Sequence, residues 1–197
     1  YFTRHLSYCK KFNMKNQNKL IILTGPSGVG KGTVIKEILG KEKNFWLSIS
    51  ATTREPREGE VDGENYYFLN EEKFKEMIDK NLFLEWAKFA GNYYGTPMSS
   101  VKDKIKEGFT VLLEIEVEGA KQIKDKFPES FSIFLMPPNK TELERRIRNR
   151  GTEKEEDINK RLERANYEIE ASSNFDYSVV NNDICKTAKK IIKLIRT

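Results

Sequence analysis

Short apolar runs alternate along the chain with stretches whose apolar positions follow a helical repeat. The runs predict buried strands over 20–24, 109–115, 130–135 and 177–180, the first opening on Leu20-Ile21-Ile22-Leu23. The periodic stretches predict helices over 31–39, 98–107, 119–126, 141–149, 153–171 and 183–196. Strands and helices in alternation favour an α/β layer fold with a mostly parallel sheet. Residues 45–94 break the rhythm: "FWLSISATT" and "NYYFL" flank the turn-rich "EPREGEVDGE", which predicts a small strand-rich insertion with one helix over 71–80. A second interruption, "RNRGTEKEED" over 148–157, is charged and carries Gly151 between two helical patterns, as a mobile lid would. There is no internal repeat and no low-complexity tract.

A chain of 197 residues suits one compact domain. Hydrophobic residues at 38% and charged residues at 33% are ordinary for a soluble globular protein, and no apolar run approaches the roughly 20 residues of a membrane span. A net charge of +5 draws anions, and both nucleic acid and phosphorylated small molecules satisfy that field. Cys9 and Cys185 lie far apart without metal-ligand spacing, so neither a disulfide framework nor a zinc site is indicated and a reducing, cytoplasmic setting fits. Residues 1–19 carry Arg4, Lys10, Lys11, Lys15 and Lys19 with no acidic side chain, which reads either as a disordered tail or as an organelle-targeting segment. Met14 is a possible translation start.

The first chemistry stands directly after the first strand. In "GPSGVGKGT", Gly25, Gly30 and Lys31 satisfy G-x-x-x-x-G-K between a strand and a helix, the context in which backbone N–H groups and a helix N-terminus surround an anion. Gly25, Ser27, Gly28, Gly30, Lys31, Gly32 and Thr33 are the candidate phosphate-binding residues, with Lys31 a point charge able to follow a transferring phosphoryl group. Gly32 occupies the position where the pattern has Ser or Thr, leaving the Thr33 hydroxyl for Mg²⁺ or a phosphate. The competing reading is a glycine-rich turn with no ligand. By itself such a loop indicates only a nucleotide.

The acceptor has to be sought elsewhere. Arg54 and Arg57 flank Pro56 in a polar loop, where two guanidinium groups can converge on one phosphate dianion. Tyr66, Tyr94 and Ser50 offer hydroxyls to the same group. Singly, each has a plainer reading as a solvated charge or a half-buried strand residue.

Together, "SISATTREPREGEVDGENYYF", "EWAKFAGNYYGTP", "RNRGTEKEEDINKRL", "VVNND" and the phosphate loop resemble the guanylate kinases, over nearly everything from Leu20 onward. The resemblance implies a parallel-sheet phosphate-loop kinase core (20–44, 95–147 and 166–197), a GMP-binding insertion (45–94) and a lid (148–165). It implies transfer from ATP, with Mg²⁺, to GMP and dGMP, in a cytoplasmic monomer or weak dimer that engages neither nucleic acid nor membrane. Glu85 matches the family's guanine-reading carboxylate, and Thr96 and Glu116 match further guanine contacts. A carboxylate suits guanine because N1–H and the exocyclic amino group are adjacent donors, where adenine presents an unmatched acceptor. Arg146, Arg150 and Arg161 match the lid and lid-hinge arginines.

Glu114 and Glu116 stand where the family shows Asp-x-Asp. Glu114 is the candidate for Mg²⁺ through water, and which glutamate serves metal and which serves guanine stays open. Asn181 and Asn182 match a donor-base contact and equally a turn after a strand. The attacking phosphate oxygen is already anionic at neutral pH, so no general base is required, and the lone histidine, His5, lies in the tail. The rival classes are a guanylate-kinase-like protein-binding module, which keeps the fold without catalysis, and an RNA-binding protein, for which no basic-aromatic stretch is present.

Overall fold

The computed structural model describes residues 20–149 and 155–197. Strand β1 (Leu20–Thr24) is buried along its whole length, and helix α1 (Lys31–Lys41) returns it to β2 (Phe45–Leu47). A small sheet follows, built from β3 (Ala51–Thr52), β4 (Tyr67–Phe68), helix α2 (Glu71–Asp79), β5 (Phe83–Phe89) and β6 (Asn92–Pro97). The core resumes with α3 (Met98–Lys106), β7 (Thr110–Glu114), α4 (Val117–Lys126), β8 (Phe131–Met136) and α5 (Lys140–Arg148). Helix α6 (Glu155–Glu170), a 3-10 turn (Ala171–Asn174), β9 (Tyr177–Val180) and α7 (Ile184–Arg196) complete it.

Five strands form one parallel sheet in the order β2-β7-β1-β8-β9. Alternation along β1 feeds both faces: Ile21 and Leu23 join Val34, Ile35 and Ile38 of α1 and Ile191 of α7, while Leu20 and Ile22 join Val101 of α3 and Ile123 of α4. This two-sided burial is why the strand reads as a continuous apolar run. The second sheet, ordered β4-β3-β6-β5, has its own core, in which Phe74 of α2 stacks on Phe83 and Tyr93 at ring separations of 4.4 and 5.4 Å. Leu143 and Ile147 of α5 pack with Ile158 and Ala165 of α6.

The α/β class and parallel core are as the sequence predicts, with some boundaries displaced. Phe45–Leu47, expected in the strand-rich insertion, is the edge strand of the core sheet, with Phe45 opposite Thr110 and Trp46 opposite Val111. Its alternate side chains serve opposite faces, Phe45 in one core cluster and Trp46 against the other, and only the core sheet can bury both. The helix predicted over 119–126 starts two residues earlier, at Val117. The stretch predicted as helix over 153–171 ends in the 3-10 turn. Residues 150–154 of the expected lid lie outside the described residues.

Helix α5 is capped by Asn139, whose side chain accepts from the Glu142 N–H at 2.8 Å. Asn139→Ala removes that acceptor and is expected to cost about 1 kcal/mol, which a thermal melt reads as a loss of about 2–4 °C for a domain of this size.

Candidate active site

The glycine-rich segment leaves the carboxyl end of β1, between β7 and β8, at the edge where parallel α/β sheets present their crevice. Gly25 approaches β8 so closely that a Cβ would lie 2.5 Å from the Leu135 carbonyl oxygen. Gly30 enters α1 at φ +96°, a left-handed conformation that a side chain strains. Since Gly30 supplies no side-chain cap and the first turn of α1 holds no acidic residue, its N–H groups and positive end remain for an anion. Lys31 Nζ donates to the carbonyls of Gly25 and Pro26, which curls the side chain back over the loop. Gly32 and Thr33 are exposed in the same turn, and Ser27 and Gly28 are half-buried.

Two residues expected at the nucleotides brace the loop from outside. Asn181 is buried, and its Nδ2 donates to the Val29 carbonyl at 2.8 Å, while a Cβ at Gly30 would lie 2.8 Å from that nitrogen. Arg146 Nη1 donates to the same carbonyl at 3.1 Å, and its Nε pairs with Glu142. Asn182 is exposed beside them. Arg161 sits half-buried on α6, and Arg150 lies outside the described residues.

The two glutamates at the end of β7 and just beyond it have different neighbours. Glu114 opens to the cleft, yet the protein crowded around it pushes its carboxyl above the usual carboxylate range, opposed by the charge of Lys31. Glu116, the N-cap of α4, is held by the guanidinium of Arg164, which also reaches buried Glu168 at 3.2 Å and lies over the Phe89 ring. Burial pushes Glu168 upward despite Arg164.

The small sheet gathers Arg54, Tyr66 and Tyr94 on one side and Glu85 with Thr96 on another. Arg54 Nη2 donates to Glu60 Oε1 at 2.9 Å, and its guanidinium lies over Tyr66 and Phe68. Tyr66 meets Tyr94 edge-on, at a ring separation of 6.2 Å. Glu60 also accepts from the Arg57 backbone N–H at 2.7 Å, and the Arg54 guanidinium holds its carboxyl below the ordinary range. Arg57 itself is exposed, and Ser50 is half-buried beside β3.

Glu85 on β5 and Thr96 on β6 meet across paired strands of the small sheet. Glu85 is 7% exposed and Thr96 is fully buried, with the Thr96 hydroxyl donating to Glu85 Oε1 at 2.6 Å. Burial pushes the Glu85 carboxyl upward, and the Thr96 hydrogen bonds and Lys126 act against it. A buried carboxylate with only part of its acceptor capacity satisfied suits a ligand that brings adjacent N–H donors.

Glu60, Arg164 and Glu168 escaped the sequence reading. Glu60 follows Arg57 by three residues in a turn, and Arg164 and Glu168 have the i,i+4 spacing of a helical ion pair, so both signals were present but non-specific.

The family model described as "Guanylate kinase" matches residues 17–197. A guanylate kinase of Prochlorococcus marinus is 80% identical over 184 residues, which are 93% of this chain and 100% of that protein. One from a Synechocystis species is 52% identical over 179 residues, covering 91% of this chain and 94% of that protein. Among solved structures, a guanylate kinase from Anaplasma phagocytophilum superposes with a TM-score of 0.71 at 34% identity, covering 90% of this chain and 84% of that one.

Proposed function

The chain belongs to the guanylate kinase family of nucleoside-monophosphate kinases, and from that premise we propose that it transfers the terminal phosphoryl group of ATP to GMP, and to dGMP, giving ADP and the nucleoside diphosphate. The observation that carries the acceptor is buried Glu85, held by the Thr96 hydroxyl within the small sheet. Guanine offers that carboxylate two adjacent donors; adenine offers one donor and a repelling lone pair.

In this reading the loop 25–33 and the open end of α1 bind the ATP phosphates, and Lys31 accompanies the transferring group. Arg54, Arg57, Tyr66, Tyr94 and Ser50 clamp the GMP phosphate, with Glu60 keeping Arg54 and the turn around Arg57 in place until the dianion arrives. Arg150 and Arg161 act from the lid side on the charge of the transferring group. Arg146 and Asn181 hold the shape of the loop through the Val29 carbonyl. Closure over both nucleotides keeps water from taking the phosphoryl group. The setting is cytoplasmic, and the working unit a monomer or weak dimer; among the described residues no helix is long and apolar enough to cross a membrane.

Mg²⁺ enters with ATP. The ion needs only one or two carboxylates beside phosphate and water. Glu114, open to the cleft and close enough to feel Lys31, fits that requirement, with Thr33 in the first turn of α1 as a hydroxyl ligand. Bound there, it would offset negative charge on the phosphates. Glu116 is engaged by Arg164, whereas Glu114 feels Lys31, which favours Glu114 for the metal and Glu116 for the base.

Arg57→Ala tests the clamp. Its exposed side chain carries little of the fold, so the expected result is a rise in KM for GMP of about 10–100-fold with KM for ATP nearly unchanged. Equal losses for both nucleotides would remove Arg57 from the acceptor site.

A further inference from the structure

The first turn of α4 lies against the Glu85 carboxylate. A Cβ at Gly119 would stand 2.7 Å from Glu85 Oε2, 3.2 Å from Cδ and 3.4 Å from Cγ. Gly119 has an ordinary helical backbone and is buried, so nothing in its conformation demands glycine, and glycine within a helix is less favourable than alanine. The reason for it is the space. Glu85 Oε1 is taken by Thr96, and Oε2 occupies the room that a methyl group at 119 would fill.

An overlap of this kind is relieved by whichever partner moves most easily. Helix α4 is pinned across β5: Gln122 accepts from the Trp86 N–H at 3.2 Å and donates to the Trp86 carbonyl at 2.8 Å, and Lys126 Nζ donates to the Leu84 carbonyl at 2.9 Å. Retreat of the helix would break these bonds on both sides of Glu85. The carboxylate is the end of a side chain with rotatable bonds, so it is the group that yields.

We propose that Gly119 is a positioning residue for guanine specificity, leaving the space in which Glu85 presents its carboxylate to the base. The inference rests on the reading of Glu85 as the guanine contact. It makes Gly119→Ala a recognition defect in a folded protein, since alanine suits the helix while the displaced carboxylate no longer meets the two ring donors.

The test measures KM for GMP and ATP, GMP binding by calorimetry, and thermal melting for the wild type, Gly119→Ala, Glu85→Asp and the double variant. Aspartate is one methylene shorter and withdraws from the overlap. Gly119→Ala should raise KM and Kd for GMP about 10–100-fold with KM for ATP unchanged. Added to Glu85→Asp, it should change either value by less than about twofold, because the contact it disturbs is already gone. If Gly119→Ala melts early, recovery in the double variant supports the same contact, and an equal loss in both overturns it. A wild-type KM for GMP in Gly119→Ala, or an equal effect in the Glu85→Asp background, contradicts the proposal while GMP turnover by the wild type leaves the family reading standing. Failure of the wild type itself to bind or phosphorylate GMP overturns both.

Discussion

Lys31→Met is expected to lower kcat about 10³-fold or more, while GMP affinity stays close to that of the wild type. Methionine keeps most of the length and apolar stem of lysine, so the loop loses a charge rather than a shape. Lys31 Nζ donates to the Gly25 and Pro26 carbonyls, both in the glycine-rich loop, and its field opposes the upward push on Glu114. An ammonium in this position can leave the carbonyls for phosphate oxygens as negative charge shifts in the transition state, an interaction that contributes to kcat rather than to ground-state binding. Single-turnover kinetics with calorimetric GMP titration separates the two quantities. Lost GMP binding with preserved turnover would remove Lys31 from the transfer step.

Glu85→Gln should lower kcat/KM for GMP by about 10²–10³-fold and erode the preference for GMP over AMP. The amide retains the size of the carboxylate but turns one acceptor into a donor at a buried position, where a mismatched polar group is costly. The pH dependence carries a sign. Burial raises the Glu85 pKa, so the wild type binds a proton there at a higher pH than an ordinary carboxylate does. Since the protonated carboxyl has lost an acceptor for guanine, kcat/KM for GMP should fall as pH drops through that raised value. Glutamine cannot titrate, so Glu85→Gln should lack this limb; the phosphate of GMP titrates with both proteins and cancels between them. Profiles of identical shape, or unchanged discrimination against AMP, would take Glu85 out of the base pocket.

The parts of the site legible in the sequence are those encoded locally. A buried strand, a glycine loop and a helix in immediate succession are readable, because each element depends on neighbours within a few residues. Arg54 could likewise be read from its turn. What stayed hidden depends on distant partners. Phe45–Leu47 belongs to the core sheet through pairing with residues 110–112, which no local pattern records. The brace from Asn181 to Val29 spans 152 positions, and it engages the Nδ2 of the Asn181 amide with a carbonyl of the loop itself while leaving the buried Oδ1 without a partner among the described residues. Arg164 meets Glu116 across 48 positions, which separates Glu116 from Glu114 although a single residue divides them in the chain. Gly119, unremarkable in "VEGA", acquires its importance from the one side chain packed against it.

The central claim, a kinase whose acceptor pocket reads guanine, is tested most directly by coupled ADP production from ATP and Mg²⁺ with GMP, AMP, UMP and CMP offered in turn. The account predicts strong turnover with GMP and little with the other three. Comparable turnover with AMP would contradict the base pocket built on Glu85 and Thr96, and no turnover with any acceptor, alongside measurable GMP binding, would contradict the kinase itself and leave a protein-binding module on the same fold.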